Sequence, residues 1–178
     1  ETVIVDINTV TNATESATQG QETITLVDDD ATPTVTLAVG SDSVIENGGT
    51  TTVTVTLSAV SGLPVTVTLI KSGTASETIA PIDYVLEGVI SIPAGVSSGT
   101  ITMTASKDAL AEDNETVVID INVVTNAQEV GTEQRIISIT DDDTKPVITL
   151  SVAAPTILEN GGTTAVIATL DVLSGQDI

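Results

Sequence analysis

The sequence predicts an all-β fold, an antiparallel β-sandwich arranged in tandem repeats of about 113 residues. Three observations predict it: seven short runs in which apolar residues alternate with polar ones, turn residues between the runs, and a long internal repeat. Alternation with a period of two places apolar side chains on one face of a strand and polar side chains on the other. No stretch of the chain shows a sustained helical period, so we expect no helical layer.

The predicted strands follow one another through the middle of the chain. Most combine aliphatic residues with threonine, whose branched Cβ fits a pleated sheet while its hydroxyl stays in water. Turn residues lie between them, as in the Asn-Gly-Gly of 47–49 and the Pro-Ala-Gly of 93–95. In order, the strand runs are 34–39 (continued by 44–45), 52–57, 65–69, 89–92, 100–103, 117–121 and 136–140. Seven short strands in about 113 residues favour a sandwich of immunoglobulin-like architecture.

The predicted core is aliphatic. The chain has no cysteine, tryptophan or phenylalanine, and its one tyrosine is Tyr84. The disulfide and buried tryptophan of antibody domains are therefore absent. Valine, isoleucine and leucine must fill the space between the sheets, with Tyr84 as a core or corner anchor.

A long internal repeat organises the chain. Residues 1–8, ETVIVDIN, return as residues 115–122, ETVVIDIN, and the aspartate triplet 28–30 returns at 141–143. The turn sequence ENGGT of 46–50 returns at 159–163, and the Ser-Gly pair of 61–62 returns at 174–175. An offset of 113 or 114 residues is the size of a domain and not of a solenoid turn.

The repeat predicts three segments. Residues 1–30 are the C-terminal strands of one unit, residues 31–143 are a complete unit, and residues 144–178 are the N-terminal strands of the next. The chain is thus expected to be a window from a longer tandem array. Neither partial segment can close a core alone, so we expect both to be poorly ordered unless neighbours complete them.

Composition limits the partners and the chemistry. Four lysines and arginines face 25 aspartates and glutamates, for a net charge of −21. Such a chain repels nucleic-acid phosphates and anionic membrane surfaces, so we expect neither as a partner. No apolar run approaches the roughly 18 residues of a membrane span, so no direct membrane insertion is expected. The absence of histidine and cysteine excludes imidazole and thiol catalysis and the common zinc sites.

The acidic residues concentrate in loops and at strand ends. The triplet 141–143 ends the complete unit, four acids lie within 107–115, Glu46 lies in a turn, and Asp83 precedes Tyr84. Because the loops of a sandwich gather at its two poles, we expect these carboxylates to meet at one pole. Two like charges about 4 Å apart repel by roughly 4 kcal/mol at an effective dielectric of about 20. A hard cation with about six to eight oxygen ligands, Ca²⁺ more readily than Mg²⁺, would neutralise that repulsion.

Taken in order, these motifs resemble the Calx-beta domain family over essentially all of the complete unit. The resemblance rests on VIENGG at 44–49, Asp-Tyr at 83–84, IPAG at 92–95, the loop 107–116 and the triplet 141–143. That family is an immunoglobulin-like sandwich, and its better-known members, in sodium–calcium exchangers, bind a cluster of Ca²⁺ ions at one pole. The resemblance implies ligands at Glu46, Asp83, Asp108, the Leu110 carbonyl, Glu112, Glu115, Asp141, Asp142 and Asp143.

The partial units carry equivalent ligand positions. By the repeat they are Glu1, Asp28, Asp29, Asp30 and Glu159. Lys107 departs from the family pattern, because the richest binding members have a second aspartate there. The resemblance therefore implies fewer ions or a lower affinity in this chain.

The expected function is that of a calcium-stiffened structural repeat of an extracellular adhesin or surface fibre. The triplet 141–143 lies just before the next unit, so ions held there would clamp the linker, which Pro33 and Pro146 also stiffen. The near-identical, Thr- and Val-rich units also resemble those of large bacterial cell-surface adhesins, including those of gliding bacteria. We expect the partners to be neighbouring repeats, other copies of the fibre or surface-anchoring proteins.

Two alternatives remain from the sequence: a metal-free spacer repeat, because an aspartate triplet alone is usually a solvated linker, and a Ca²⁺-sensing module of the exchanger type. A carbohydrate-binding module is disfavoured because Tyr84 is the only ring that could stack on a sugar. A glycosidase is disfavoured because acids at a sandwich pole have no substrate cleft. We therefore expect no enzymatic activity.

Overall fold

The computed structural model describes all 178 residues and consists of β-strands and loops. The chain divides into two compact units, Glu1–Ala31 and Thr32–Ile178. No helix in it has the length and apolarity needed to cross a bilayer. The strands are β1 (Thr2–Asp6), β2 (Gln21–Thr25), β3 (Thr34–Val39), β4 (Ser43–Ile45), β5 (Thr50–Leu57), β6 (Val65–Gly73), β7 (Tyr84–Val85), β8 (Val89–Ile92), β9 (Ser98–Ala105), β10 (Glu115–Thr125), β11 (Gln128–Glu129), β12 (Arg135–Thr140), β13 (Ile148–Val152) and β14 (Val166–Leu170).

Strands β3 to β12 form two five-stranded sheets. One has the order β4-β12-β10-β6-β8 and the other the order β11-β3-β5-β9-β7. Most pairs are antiparallel, but β4 runs parallel to β12 and β11 runs parallel to β3. The predicted all-β sandwich is confirmed. It differs from the antiparallel expectation in that the two short edge strands β4 and β11 each pair in parallel with their neighbours.

One aliphatic core lies between the two sheets. Its members alternate along each strand with exposed or half-buried residues, as Val53 and Val55 do in β5. Ile119 and Ile137 contribute from the opposite sheet, and Tyr84 is buried in the same cluster. Residues on the outer face of β5 and β9 are mostly threonines, which pair across the strands at Thr52–Thr102 and Thr54–Thr100.

The first predicted strand is divided between the two sheets. Residues 34–39 form β3 in one sheet, whereas residues 43–45 cross over and form β4 in the other. The side chain of the buried Thr51 holds the crossover, since its hydroxyl oxygen accepts from the Ser41 amide at 2.8 Å and its hydroxyl donates to the Ser41 carbonyl at 2.9 Å. As a consequence the residue after β4, Glu46, lies beside the end of β12.

Strands β13 and β14 form an antiparallel hairpin whose residues are all exposed, and β1 and β2 form a separate one in the first unit. By the sequence repeat, Val3 in β1 corresponds to Val117 in β10. Val117 is 0% exposed inside the sandwich, whereas Val3 is 43% exposed. Each hairpin therefore presents the apolar face of a repeat without a facing sheet. The division into repeats at 30 and 143 stays a prediction.

Candidate metal centre

The turn after β4 positions Glu46. Its amide donates to the Thr140 carbonyl at 2.9 Å, which fastens it to the end of β12. Gly48 has a φ of +76°, and a Cβ on Gly49 would lie 2.4 Å from the Ile45 carbonyl oxygen. Both glycines are therefore required by the backbone. The backbone of the turn does not require a glutamate at position 46. Glu46 is nevertheless a buried acidic residue, only 7% exposed.

The same turn is built a second time at 159–162, where the sequence repeats. Gly161 has a φ of +77°, and a Cβ on Gly162 would lie 2.5 Å from the Leu158 carbonyl oxygen. The Glu-Asn-Gly-Gly motif thus encodes the same turn backbone at 46–49 and 159–162, although Glu46 is buried and Glu159 is exposed.

Asp83 is fixed by the loop before β7. Its amide donates to the Ser76 carbonyl at 2.8 Å, and its own carbonyl accepts from the Ser106 amide at 2.8 Å. The Ser76 amide in turn donates to the Asp83 carboxylate. The next residue, Tyr84, is buried in the core and paired with Ala105. Asp83 is therefore fixed at the edge of the core, directly before the buried Tyr84.

Side-chain hydrogen bonds order the loop between β9 and β10, and one of them joins this loop to the exit of β12. The Leu110 amide donates to Asp108 Oδ1 at 2.8 Å, and the Asp141 amide donates to Asn114 Oδ1 at 3.2 Å. Asp141 Oδ1 itself is buried and has no hydrogen-bond partner. Because a buried polar atom without a partner is costly, this oxygen is a candidate ligand atom.

Seven carboxylates converge at this pole in three groups. Within each group one oxygen from every residue lies within 4.8 Å of the others. The groups are Glu46–Asp108–Glu112, Glu46–Asp141–Asp143 and Asp83–Glu112–Glu115. Because Glu46 and Glu112 each belong to two groups, the three form one connected acidic cluster, which we call the acidic pole.

The electrostatics of the acidic pole are those of crowded anions. The pKa of Glu46 is raised from 4.5 to about 8. The largest cause is burial, followed by the charges of Asp108 and Asp141, a hydrogen bond with Asp141 and the charge of Asp143. Burial, followed by a hydrogen bond with Asp83 and the charges of Asp83 and Glu112, raises the pKa of Glu115 to about 7.

Two further carboxyls follow the same trend. Burial and then the charges of Asp108, Asp83 and Asp141 raise the pKa of Glu112. The pKa of Asp143 is also raised, by desolvation and then mainly by the other two aspartates of its triplet, and only the positive charge of Lys107 opposes this. The ion pairs of the chain, Lys71–Glu77 and Arg135–Glu133, involve none of these carboxyls.

The other predicted ligands lie outside the three groups. Asp142 is exposed, and Leu110 is half-buried with its amide bonded to Asp108. Glu159 is exposed in the following repeat. In the first unit, Glu1, Asp28, Asp29 and Asp30 are exposed and form no group of close carboxylates. For all of these, ligation stays a prediction.

Two supporting contacts were missing from the sequence analysis. Asn114 joins the loop before β10 to Asp141. The backbone of Ser76 is hydrogen-bonded to both the amide and the carboxylate of Asp83. Neither residue has a spacing or composition that distinguishes it from ordinary loop residues. Only the folded chain, which brings segments 27 and 7 residues apart into contact, reveals them.

The donor set at the acidic pole fits a hard divalent cation. Every candidate side chain offers carboxylate oxygen, the ligand type that calcium and magnesium prefer. The partnerless oxygen of Asp141 and the absence of any ion pair among the seven carboxylates leave charge and lone pairs that such an ion would satisfy. Nitrogen or sulfur sites are excluded because the chain has no histidine or cysteine.

Comparison with known proteins places the fold. No protein-family model and no curated protein sequence matches the chain. Among solved structures, the apo form of the Calx CBD1 domain matches with a TM-score of 0.51 and 20% identity, over 64% of this chain and 100% of that domain. CBD12 from CALX1.2 matches with a TM-score of 0.52 and 21% identity, over 66% of this chain and 48% of that one, so this chain spans about half of its length. The chain therefore has the sandwich fold of the Calx CBD domains.

Proposed function

We propose that this chain is a calcium-binding structural repeat of an extracellular adhesin or surface fibre, with Ca²⁺ held at the pole that faces the next repeat. The observation that carries the proposal is the convergence of seven carboxylates without a cationic partner, around a buried oxygen of Asp141 that has no hydrogen bond. A bound divalent cation would supply the positive charge that this arrangement lacks.

Calcium fits the acidic pole better than magnesium. The ligands come from four separate loop segments, around Glu46, Asp83, 108–115 and 141–143. Calcium accepts irregular sets of mono- and bidentate oxygens, whereas magnesium requires nearly ideal octahedral geometry. Extracellular calcium modules bind at roughly 10⁻⁴–10⁻³ M, and we propose an affinity in this range for the acidic pole.

The position of the acidic pole supports a role in joining repeats. Asp141 and Asp143 directly follow β12, and β13 of the next repeat begins at Ile148, just beyond Pro146. Ligation of both aspartates would fix the start of this short linker. We propose neighbouring repeats and further copies of the fibre, or surface-anchoring proteins, as partners. The cell surface is the proposed location.

Two alternatives differ from this proposal in what calcium does. A metal-free spacer would have the same sandwich and no response to calcium, and a sensing module would bind calcium without stiffening the joint. A binding role is proposed over a catalytic one, because carboxylates are the only reactive side chains gathered at the acidic pole.

Terbium luminescence is expected to report ion binding next to Tyr84. Tyr84 is the only aromatic residue of the chain and directly follows Asp83, a member of the Asp83–Glu112–Glu115 group. Tb³⁺, which takes calcium sites, should therefore emit when the tyrosine ring is excited, and calcium should displace it. Glu115→Gln should weaken the signal, whereas Glu87→Gln, an exposed glutamate outside the groups, should not. Emission that is absent, or that calcium does not displace, would count against the site.

Small-angle scattering is expected to show the stiffening. Calcium should reduce the conformational spread between the sandwich and residues 144–178, and a chelator should restore it. The physical reason is that ligated Asp141 and Asp143 fix the chain at the first residues of the linker. A profile that is identical with calcium and with chelator, in a protein that binds terbium, would favour the sensing alternative.

A further inference from the structure

A turn of the following repeat contacts the acidic pole. Ser174 forms a parallel β-bridge with Ala111, and the Gly175 amide donates to the Ala111 carbonyl at 3.3 Å. Ala111 is buried and directly precedes Glu112, which belongs to two of the three carboxylate groups. A cavity of about 210 Å³ beside this contact is lined by Glu112, Gln176 and the linker. The backbone that places Glu112 is thus paired with the next repeat.

Gly175 lies directly against the side chain of Glu112. A Cβ at position 175 would be 2.2 Å from Glu112 Oε1 and 2.5 Å from its Cγ, both far inside van der Waals contact. The φ of Gly175 is not in the left-handed region, so the backbone conformation does not demand glycine. Glycine at position 175 therefore leaves the space that the Glu112 side chain occupies, and a larger residue would displace that side chain.

The complete repeat offers an internal comparison. Its matching pair is Ser61-Gly62, and a Cβ on Gly62 would meet nothing within 4 Å. Gly62 also lies outside the left-handed region. Neither its own repeat nor its backbone explains a glycine at this place. Gly62 would have a counterpart role if it contacted the acidic loop of the preceding repeat, as Gly175 contacts Glu112.

We infer that the Ser-Gly turn, 174–176 in the following repeat and 61–63 in the complete one, is the docking element by which each repeat seats on the acidic loop of the repeat before it. The partner is thus the neighbouring repeat of the same chain, and the contact surface is the Ala111–Glu112 backbone with the Glu112 carboxylate. Because Glu112 is shared, docking and ion binding influence each other; this second part rests on the proposed function.

The test is a matched pair of glycine substitutions in the full 178-residue chain. Gly175→Val should push the Glu112 carboxylate aside or separate the turn from Ala111, whereas Gly62→Val should do neither. Hydrogen exchange without calcium should be several-fold faster for 110–114 and 174–176 in Gly175→Val, and unchanged in Gly62→Val. Unchanged protection of the β5 and β9 amides serves as the check that the sandwich remains folded.

A double variant separates the contact from a general defect of the turn. In Glu112→Ala the side chain that obstructs position 175 is gone, so Gly175→Val should accelerate exchange much less in that background. Equal acceleration in both backgrounds, or no acceleration by Gly175→Val alone, would overturn the docking assignment.

Calcium titration tests the coupling separately. The affinity should fall several-fold in Gly175→Val relative to Gly62→Val. A changed exchange pattern with an unchanged affinity would overturn the coupling and keep the docking. If none of the proteins binds calcium, the proposed function fails, and the exchange data still decide the docking element.

Discussion

Saturating calcium should raise the melting midpoint of this chain by roughly 5–10 °C, and Glu46→Gln should remove most of that rise. An ion that binds only the folded state contributes about 2.7 kcal/mol at a hundredfold excess over its Kd. For a chain of about 150–250 residues, each kcal/mol moves the midpoint by about 2–4 °C. Glu46 should carry a large share of the response because it, like Glu112, belongs to two of the three carboxylate groups.

Asp113→Asn is the matched control for this experiment. It also replaces one carboxylate by its amide, one residue away from Glu112, but its side chain is exposed, lies outside the three groups and is not a predicted ligand. Its calcium response should equal that of the unsubstituted chain. Calorimetry or circular dichroism with calcium and with chelator gives the midpoints. A midpoint that is indifferent to chelator would make the metal-free spacer the better account.

The size of the change in melting midpoint that Glu46→Gln causes without calcium distinguishes loss of a ligand from loss of structure. Since the pKa of Glu46 is raised to about 8, this side chain is mostly protonated at pH 7. Glutamine has nearly the shape and hydrogen-bonding capacity of a protonated glutamate. The midpoint in chelator should therefore change little, and a large drop there would mean that the substitution damages the fold.

The alternation of apolar and polar residues predicted the strands well where the two faces of a strand differ in polarity. The runs 34–39 and 89–92 coincide with β3 and β8 as the structure has them. The run 65–69 fell short of β6, which continues to Gly73 because its backbone still pairs with β10 there. Backbone pairing extends a strand beyond its alternating residues, and no side-chain pattern records that extension.

The division of the first strand could not be predicted from the pattern. Residues 44–45 continue the alternation of 34–39, so the sequence joins them, whereas the structure places them in the opposite sheet. A pair of hydrogen bonds between Thr51 and Ser41 stabilises this crossover. Thr51 stands in a run of threonines and has no local feature that marks it as buried.

The acidic pole was accessible to sequence analysis because of loop geometry. Alternating strands send successive loops to opposite ends, so the acids around Glu46, Asp83, 108–115 and 141–143 could be expected at one end. The structure brings seven of these carboxylates into three overlapping groups of close oxygens. Asp142 lies outside the three groups, with an exposed side chain between two half-buried neighbours, which no motif specifies, and its ligation stays a prediction. The contact of Gly175 with Glu112 depends on how two repeats meet, which a repeat period alone does not reveal.

Without calcium, the chain should be most stable in mild acid, and its stability should fall as the pH rises from about 5 to 8. Glu46 and Glu115 have pKa values of about 8 and 7 in the folded chain, against an ordinary value of 4.5. The folded state therefore keeps protons over a range in which the unfolded chain has released them. This contribution is fully present below about pH 4.5 and is lost as the pH rises through 7 to 8.

The expected change is large for a domain of this size. One pKa unit corresponds to about 1.4 kcal/mol, so two carboxyls displaced this far contribute on the order of several kcal/mol. Calcium should oppose the trend, because its ligands must be deprotonated and its binding strengthens as the pH rises. With calcium present the midpoint should therefore change little, or rise, between pH 5 and 8.

Denaturant or thermal melts across this range, with chelator and with calcium, measure both curves. In Glu46→Gln the chelator curve should lose the part of its slope near pH 8, because the amide has no proton to release. Calorimetric titration at pH 7 in buffers of different ionisation enthalpy should show release of on the order of one proton per bound ion. A midpoint in chelator that climbs from pH 5 to pH 8 would contradict the crowding of carboxyls at the acidic pole, since the protons of Glu46 and Glu115 would then not be held by the fold.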